Sequence, residues 1–164
     1  MPYDGSMTKA TTTEPRWLDA GEQAAWRAYL AMNARLSARL NREMQDESGI
    51  SIADFSVLVQ LSEHLDARMR VLELARALGW EKSRLSHHLS RMQKRGLVER
   101  QECADDARGA FVVLTPEGRR AIDEAAPAHV EAVRELMFDG LDADQVDALA
   151  GIAETVLTRI RAAG

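Results

Sequence analysis

Residues 71–100 read Val71-Leu72-Glu73-Leu74-Ala75-Arg76-Ala77-Leu78-Gly79-Trp80-Glu81-Lys82-Ser83-Arg84-Leu85-Ser86-His87-His88-Leu89-Ser90-Arg91-Met92-Gln93-Lys94-Arg95-Gly96-Leu97-Val98-Glu99-Arg100. Two helices joined by a glycine turn are written into this stretch. Val71 to Leu78 is a short helix ended by Gly79, and Glu81 to Arg95 is a second, ended by Gly96 at the left-handed position. On a helical wheel Leu85, Leu89 and Met92 fall together on the side away from Ser83, within about 60° of one another. That is one apolar stripe. His87, Ser90 and Lys94 fall on the opposite side, within about 40° of Ser83, flanked by Arg91 and Arg84 on one side and Ser86 on the other. The outer face therefore carries hydroxyls, an imidazole and cations, and no acid. A face made only to be wet mixes Glu with Lys, because opposite charges at i,i+4 stabilise a helix. These side chains are the types that bond base edges and phosphate oxygens, and the pair of helices reads as a helix-turn-helix whose second helix enters the major groove.

After Gly96 the period changes. Leu97 to Arg100 and Ala110 to Leu114 are strand candidates, rich in branched and aromatic residues, and the polar tip Cys103 to Gly109 closes them into a hairpin. Arg108 on that tip is placed for the neighbouring minor groove, whose negative potential favours inserted cations. Thr115-Pro116-Glu117-Gly118 opens a fifth helix with the stripe Ile122, Ala126, Val130, Val133 and Met137, and Pro127 inside it predicts a kink or break. Asp142 caps a last helix with Gln145 three residues on. Its stripe Val146, Leu149, Ala153, Val156, Ile160 steps by 3 and 4, a heptad seam that packs on another helix of this chain or of a second copy. Upstream, Trp17 to Gln45 is one long helix with Trp26, Leu30, Leu36, Leu40 and Met44 at helical spacing, and Ser48-Gly49 ends it. Ser51 and Asp54 then open a second helix that closes near His64.

The 164 residues make one domain or two small lobes sharing a core, and 46% hydrophobic residues are enough to fill it. Disorder of the whole chain is excluded. The 29% charged residues suit a soluble chain, and no apolar run approaches the ~20 residues needed to cross a bilayer. Residues 1–16 hold Lys9 and Arg16 without the apolar centre of a secretory signal, and read as a flexible polar tail. A lone cysteine, Cys103, forms no internal disulfide. The formal charge of −5 hides an asymmetry: residues 1–67 carry −4, residues 68–108 carry +4 and residues 109–164 carry −5. One basic segment on an acidic body concentrates attraction to polyanions on one surface.

The runs Leu74 to Gly79, Ser83 to Met92 and Lys94 to Arg100, with Asp106-Ala107-Arg108 and Val113-Leu114-Thr115-Pro116-Glu117-Gly118-Arg119 beyond them, closely resemble the winged helix-turn-helix of MarR-family transcription regulators. The resemblance spans roughly Leu18 to Ile160 in helix order, and its specific motifs lie within residues 71–119. It implies a mainly α fold with a small β-hairpin wing, in which residues 17–164 form one domain. Residues 17–47 and 117–164 would be dimerisation helices, and residues 51–116 the winged-helix lobe. It further implies a cytoplasmic homodimer on a pseudo-palindromic double-stranded DNA operator, a repressor relieved by a small phenolic or anionic effector. Ser83, Arg84, Ser86, His87 and Arg91 would contact the major groove, with Ser90 and Lys94 on the same face; Arg108 would enter the minor groove and Asp106 would brace it. Trp17, Leu18, Val146, Leu149, Ala153, Val156 and Ile160 are the implied dimer contacts, and Tyr29, Met32, Phe55 and Val59 would line the effector cavity. His87 stands where the family commonly has arginine, and Arg70 replaces the usual polar cap before the third helix.

Other classes are weaker. The histidines His64, His87, His88 and His129 contain no His-x-x-x-His pair, so no metal is expected, and no cofactor. Cys103 sits among Glu102, Asp105 and Asp106, which oppose the lowered pKa that a redox sensor needs. No phosphate loop or nucleophile elbow supports an enzyme, and Asp105-Asp106 are turn-formers. A protein-binding adaptor would present an apolar or acidic outer face on the fourth helix, not a cationic one.

Overall fold

A computed structural model describes residues 14–102 and 109–164. Most of the tail read at residues 1–16, and the hairpin tip with Cys103, Asp105, Asp106 and Arg108, lie outside the described residues. In chain order the elements are α1 (Ala20–Ser48), α2 (Ile52–Glu63), β1 (Arg68–Arg70), α3 (Val71–Leu78), α4 (Lys82–Lys94), β2 (Val98–Gln101), β3 (Phe111–Leu114), α5 (Pro116–Val133) and α6 (Ala143–Ala163). The chain is mainly helical, as read from the sequence. Packing divides it into two units with the boundary between Arg35 and Leu36, inside the span of α1.

α1 begins three residues later than the apolar spacing predicts. Asp19 and Glu22 form a reciprocal capping box, in which the Glu22 amide donates to Asp19 Oδ1 at 2.8 Å and the Asp19 amide to Glu22 Oε2 at 2.9 Å. The box fixes the helix start, so Trp17 and Leu18 precede it. The second unit is built on one core. Leu58 and Leu61 of α2, Leu74 of α3, the α4 stripe Leu85, Leu89 and Met92, and Val98 and Val112 of the sheet are fully buried. Shortening any of these leucines to alanine removes about 2–5 kcal/mol.

The sheet is larger than the expected hairpin. β2 and β3 pair antiparallel, Val98 opposite Leu114, and β1 adds to the other edge of β3 with Met69 opposite Val112, giving the order β1-β3-β2. Three residues with two arginines carry no strand period, which is why β1 is invisible until β3 offers it an edge. Thr115 fastens the sheet to α4. Its hydroxyl donates to the Gly96 carbonyl at 2.6 Å and accepts from the Gly118 amide at 3.0 Å as the N-cap of α5. Gly118 packs so closely here that a Cβ would lie 2.2 Å from the Leu97 carbonyl oxygen. Gly96 has φ +75°, so the predicted left-handed end of α4 is present.

Of the kink or break read at Pro127, the break is absent. The helix continues to Val133, and the irregularity comes later, as a π-helical turn over Arg134–Phe138. Pro127 and Asp123, whose carbonyl loses its helical donor, are both exposed, so that carbonyl is not left unpaired in the core and the helix is not forced to end there. α6 starts at the predicted Asp142–Gln145 capping box and buries none of its residues.

Candidate nucleic-acid interface

The α3–α4 pair stands as predicted, with Gly79 at φ +64° in the turn. α4 contains no acidic residue. With its apolar stripe sunk in the core, Ser83, Arg84, His87, Ser90, Arg91 and Lys94 are exposed, and Ser86 is half-buried. The structure thus brings the seven residues of the wheel onto the solvent side of one helix. Arg108 and Asp106, the remaining members of the set, lie outside the described residues.

The flanks of this face are fixed by groups that the wheel does not include. Trp80, in the turn before α4, lies beneath the Arg84 guanidinium at 4.4 Å from the ring centre. Arg100 of β2 donates to Ser86 Oγ at 3.2 Å. His88 is 8% exposed, and its ring packs edge-on against Trp80 with centroids 5.4 Å apart. Its Nε2 lies 2.9 Å from Asp54 Oδ1, close but not well aligned, and Arg91 donates to its Nδ1 at 3.0 Å.

Asp54 is the node of this cluster. Beside the His88 ring, its carboxylate accepts from the Ser51 amide at 3.0 Å and from Arg95 at 2.7 Å, while Arg95 also donates to the Gly49 carbonyl. Burial opposes ionisation of Asp54, but the adjacent His88 ring and hydrogen bonds from the Ser51 amide and Arg95 outweigh it and hold the carboxyl well below the usual carboxylate range. Arg95 therefore clamps the start of α2 to the end of α4, and not every cation of the basic segment is available to a ligand. In the sequence Asp54 is visible only as the partner of Ser51 in a capping box. On the wheel His88 falls beside Met92, at the edge of the apolar stripe, which is the one signal in the sequence that it turns inward.

Residues 48–109 match the model of the MarR family. Sco3205 of Streptomyces coelicolor, a MarR-family transcriptional regulator solved in complex with DNA, is 40% identical, with a TM-score of 0.82 over 87% of this chain and 90% of that one. The chain belongs to the MarR family. A second MarR-family regulator of Streptomyces coelicolor, AbsC, is 38% identical with a TM-score of 0.83, over 90% of this chain and 99% of its own. The transcriptional repressor MprA of Escherichia coli is 25% identical over 82% of this chain and 75% of its own length. This MarR-family chain is a transcriptional regulator rather than an enzyme.

The other residues that the MarR resemblance singles out are placed as follows. Before Arg35, Trp17 is 84% exposed, and Leu18, Tyr29 and Met32 are exposed as well. In the second unit Val146 and Leu149 are half-buried, whereas Ala153, Val156 and Ile160 are exposed. Phe55 and Val59 pack on the core, with the Phe55 ring 5.0 Å from that of His129. Burial lowers the pKa of His129. A crevice beside His129, lined by Leu40, Met44, Ser48, Ala125 and Ala132, encloses about 10 Å³, room for one water. Among the described residues no three of His, Cys, Asp and Glu converge as metal ligands, and no helix is long and apolar enough to cross a membrane.

Proposed function

We propose that this MarR-family regulator binds a pseudo-palindromic DNA operator as a cytoplasmic homodimer and represses transcription until a small phenolic or anionic effector releases it. The observation that carries the reading is the exposed, acid-free face of α4, with Ser83, Arg84, His87, Ser90, Arg91 and Lys94 standing clear of the core. Arg, Ser and His at the start of such a helix bond base edges, and Arg91 and Lys94 farther along match phosphate oxygens or bases nearer the helix end. Arg108, braced by Asp106, is the proposed minor-groove contact. Sco3205, solved with DNA, and MprA, named a repressor, support the partner and the sense of regulation.

Dimerisation is supported by the apolar surface that α6 leaves uncovered. Ile152, Val156, Leu157 and Ile160 are all exposed there, and the small residues Ala148 and Gly151 line a shallow groove among them. Trp17 and Leu18 supply further uncovered apolar area in the first unit. The effector reading follows from family membership, with Tyr29, Met32, Phe55 and Val59 as its residues. Selection of bound duplexes from random DNA tests the proposal. The expected winner is an inverted repeat with half-sites about 10 base pairs apart. Recovery of no preferred sequence would contradict it.

A further inference from the structure

Arg91 differs from an ordinary exposed arginine in having a buried acceptor on its own helix. We propose that His88 is a positioning residue of the DNA-reading face: its Nδ1 accepts from Arg91 and sets the angle at which that guanidinium meets the duplex. The inference rests on the DNA-binding reading above and adds to it a residue that touches no DNA.

The geometry fixes the ring from three sides. A guanidinium can only donate, so Nδ1 is the bare nitrogen and Nε2 carries the hydrogen. Nε2 lies 2.9 Å from Asp54 Oδ1, a close contact of opposite polarity that is not aligned as a hydrogen bond. Trp80 meets the ring edge-on and holds its plane. Asp54 is itself held by the Ser51 amide and by Arg95. Arg91 Nη2, 3.0 Å from Nδ1, is thus the solvent end of a chain of contacts whose other end is the backbone at the start of α2. An arginine otherwise free to sample many rotamers arrives at DNA already oriented, and the ordering penalty of binding is correspondingly smaller. Helix spacing makes the contact local, since residues 88 and 91 are neighbours at i,i+3. The juxtaposition also ties the α1–α2 turn to the reading face, because Arg95 bonds both Asp54 and the Gly49 carbonyl.

Two substitutions separate support of the fold from positioning. His88→Gln places an amide where Nε2 stood and can still reach Asp54, but offers Arg91 nothing at the Nδ1 position. His88→Asn places its amide oxygen near Nδ1 and gives up Asp54. In the full-length protein with its selected duplex, H88Q should weaken binding about three- to tenfold, the range expected when one side chain must be ordered on binding, with an unchanged melting temperature. H88N should bind DNA better than H88Q even where it melts lower. In an Arg91→Ala background H88Q should have no further effect on affinity, whatever it does to melting. An equal loss in both backgrounds, or no loss in either, overturns the proposal. If the wild-type protein binds no duplex, the DNA reading fails first, and the ring itself decides the inference. Long-range proton–nitrogen spectra should show the Nε2–H tautomer with an Nδ1 resonance that moves in R91A; an unmoved resonance overturns it.

Discussion

At the scale of single residues, two arginines with the same formal charge have different surroundings. Arg95 closes a buried carboxylate inside the fold, whereas Arg84 rests on Trp80 with its guanidinium at the surface. Arg84→Ala should therefore leave stability within about 0.5 kcal/mol and lower operator affinity by about 1–3 kcal/mol, with relaxed preference at one base pair in a binding-site profile. A uniform loss across all sequences would make Arg84 a phosphate contact instead. Arg108→Ala carries the same expected loss, about 1–3 kcal/mol, and unchanged affinity would remove it from the contact set. Asp54 gives a pH signature. Its folded pKa lies below the unfolded value of about 3.9, so its contribution to stability is complete above that pH and is lost as pH falls through the acid range towards the folded value. Urea midpoints from pH 7 down to about 2.5 should show Asp54→Asn less stable at neutral pH, by about 2–3 kcal/mol, with the gap closing in acid. A gap independent of pH would mean that the carboxylate charge contributes nothing. The residues on the outward side of α4 were legible in the sequence because helical spacing alone separates them from Leu85, Leu89 and Met92. Asp54 and Trp80 were not, since their roles depend on which helix packs beside them, and periodicity carries no such information.

At the scale of elements, turns and caps were the most readable features. Gly79, Gly96, Thr115 and Asp142 each mark a boundary found in the fold, because a left-handed residue or a capping oxygen is demanded locally. Features decided by partners were harder to read. β1 needs the free edge of β3, the start of α1 is set by a capping box two residues past Trp17, and the survival of α5 at Pro127 depends on which side faces water. The clasp between Thr115, Gly96 and Gly118 joins the end of α4 to α5 and so holds the reading helix at its angle. Gly118→Ala should destabilise the protein by about 2–3 kcal/mol, measured by thermal or urea unfolding, because its methyl would collide with the Leu97 carbonyl rather than with a yielding side chain. A neutral outcome would show that the α4–α5 junction has slack. Truncation before Asp142 should convert dimers to monomers or aggregate in sedimentation, since α6 fully buries none of its residues within its own chain. A stable DNA-binding dimer without α6 would place the interface elsewhere.

At the scale of the whole molecule, the charge distribution decides how a chain of net charge −5 approaches a polyanion. Acidic segments on either side of residues 68–108 repel DNA except along the basic segment, and within that segment α4 is the helix without an acid. Affinity should then depend steeply on salt while remaining confined to one face. The most direct measurement is a salt titration of binding to the selected duplex by the wild-type protein and by an Arg84→Ala, Arg91→Ala, Lys94→Ala variant. The logarithm of the wild-type binding constant should fall linearly with that of salt concentration, by about 0.9 for each phosphate neutralised. The variant should show a shallower slope and lower affinity at every concentration while melting like the wild type. Equal slopes for the two proteins, or no binding by either at low ionic strength, would contradict the assignment of α4 as the surface that meets DNA.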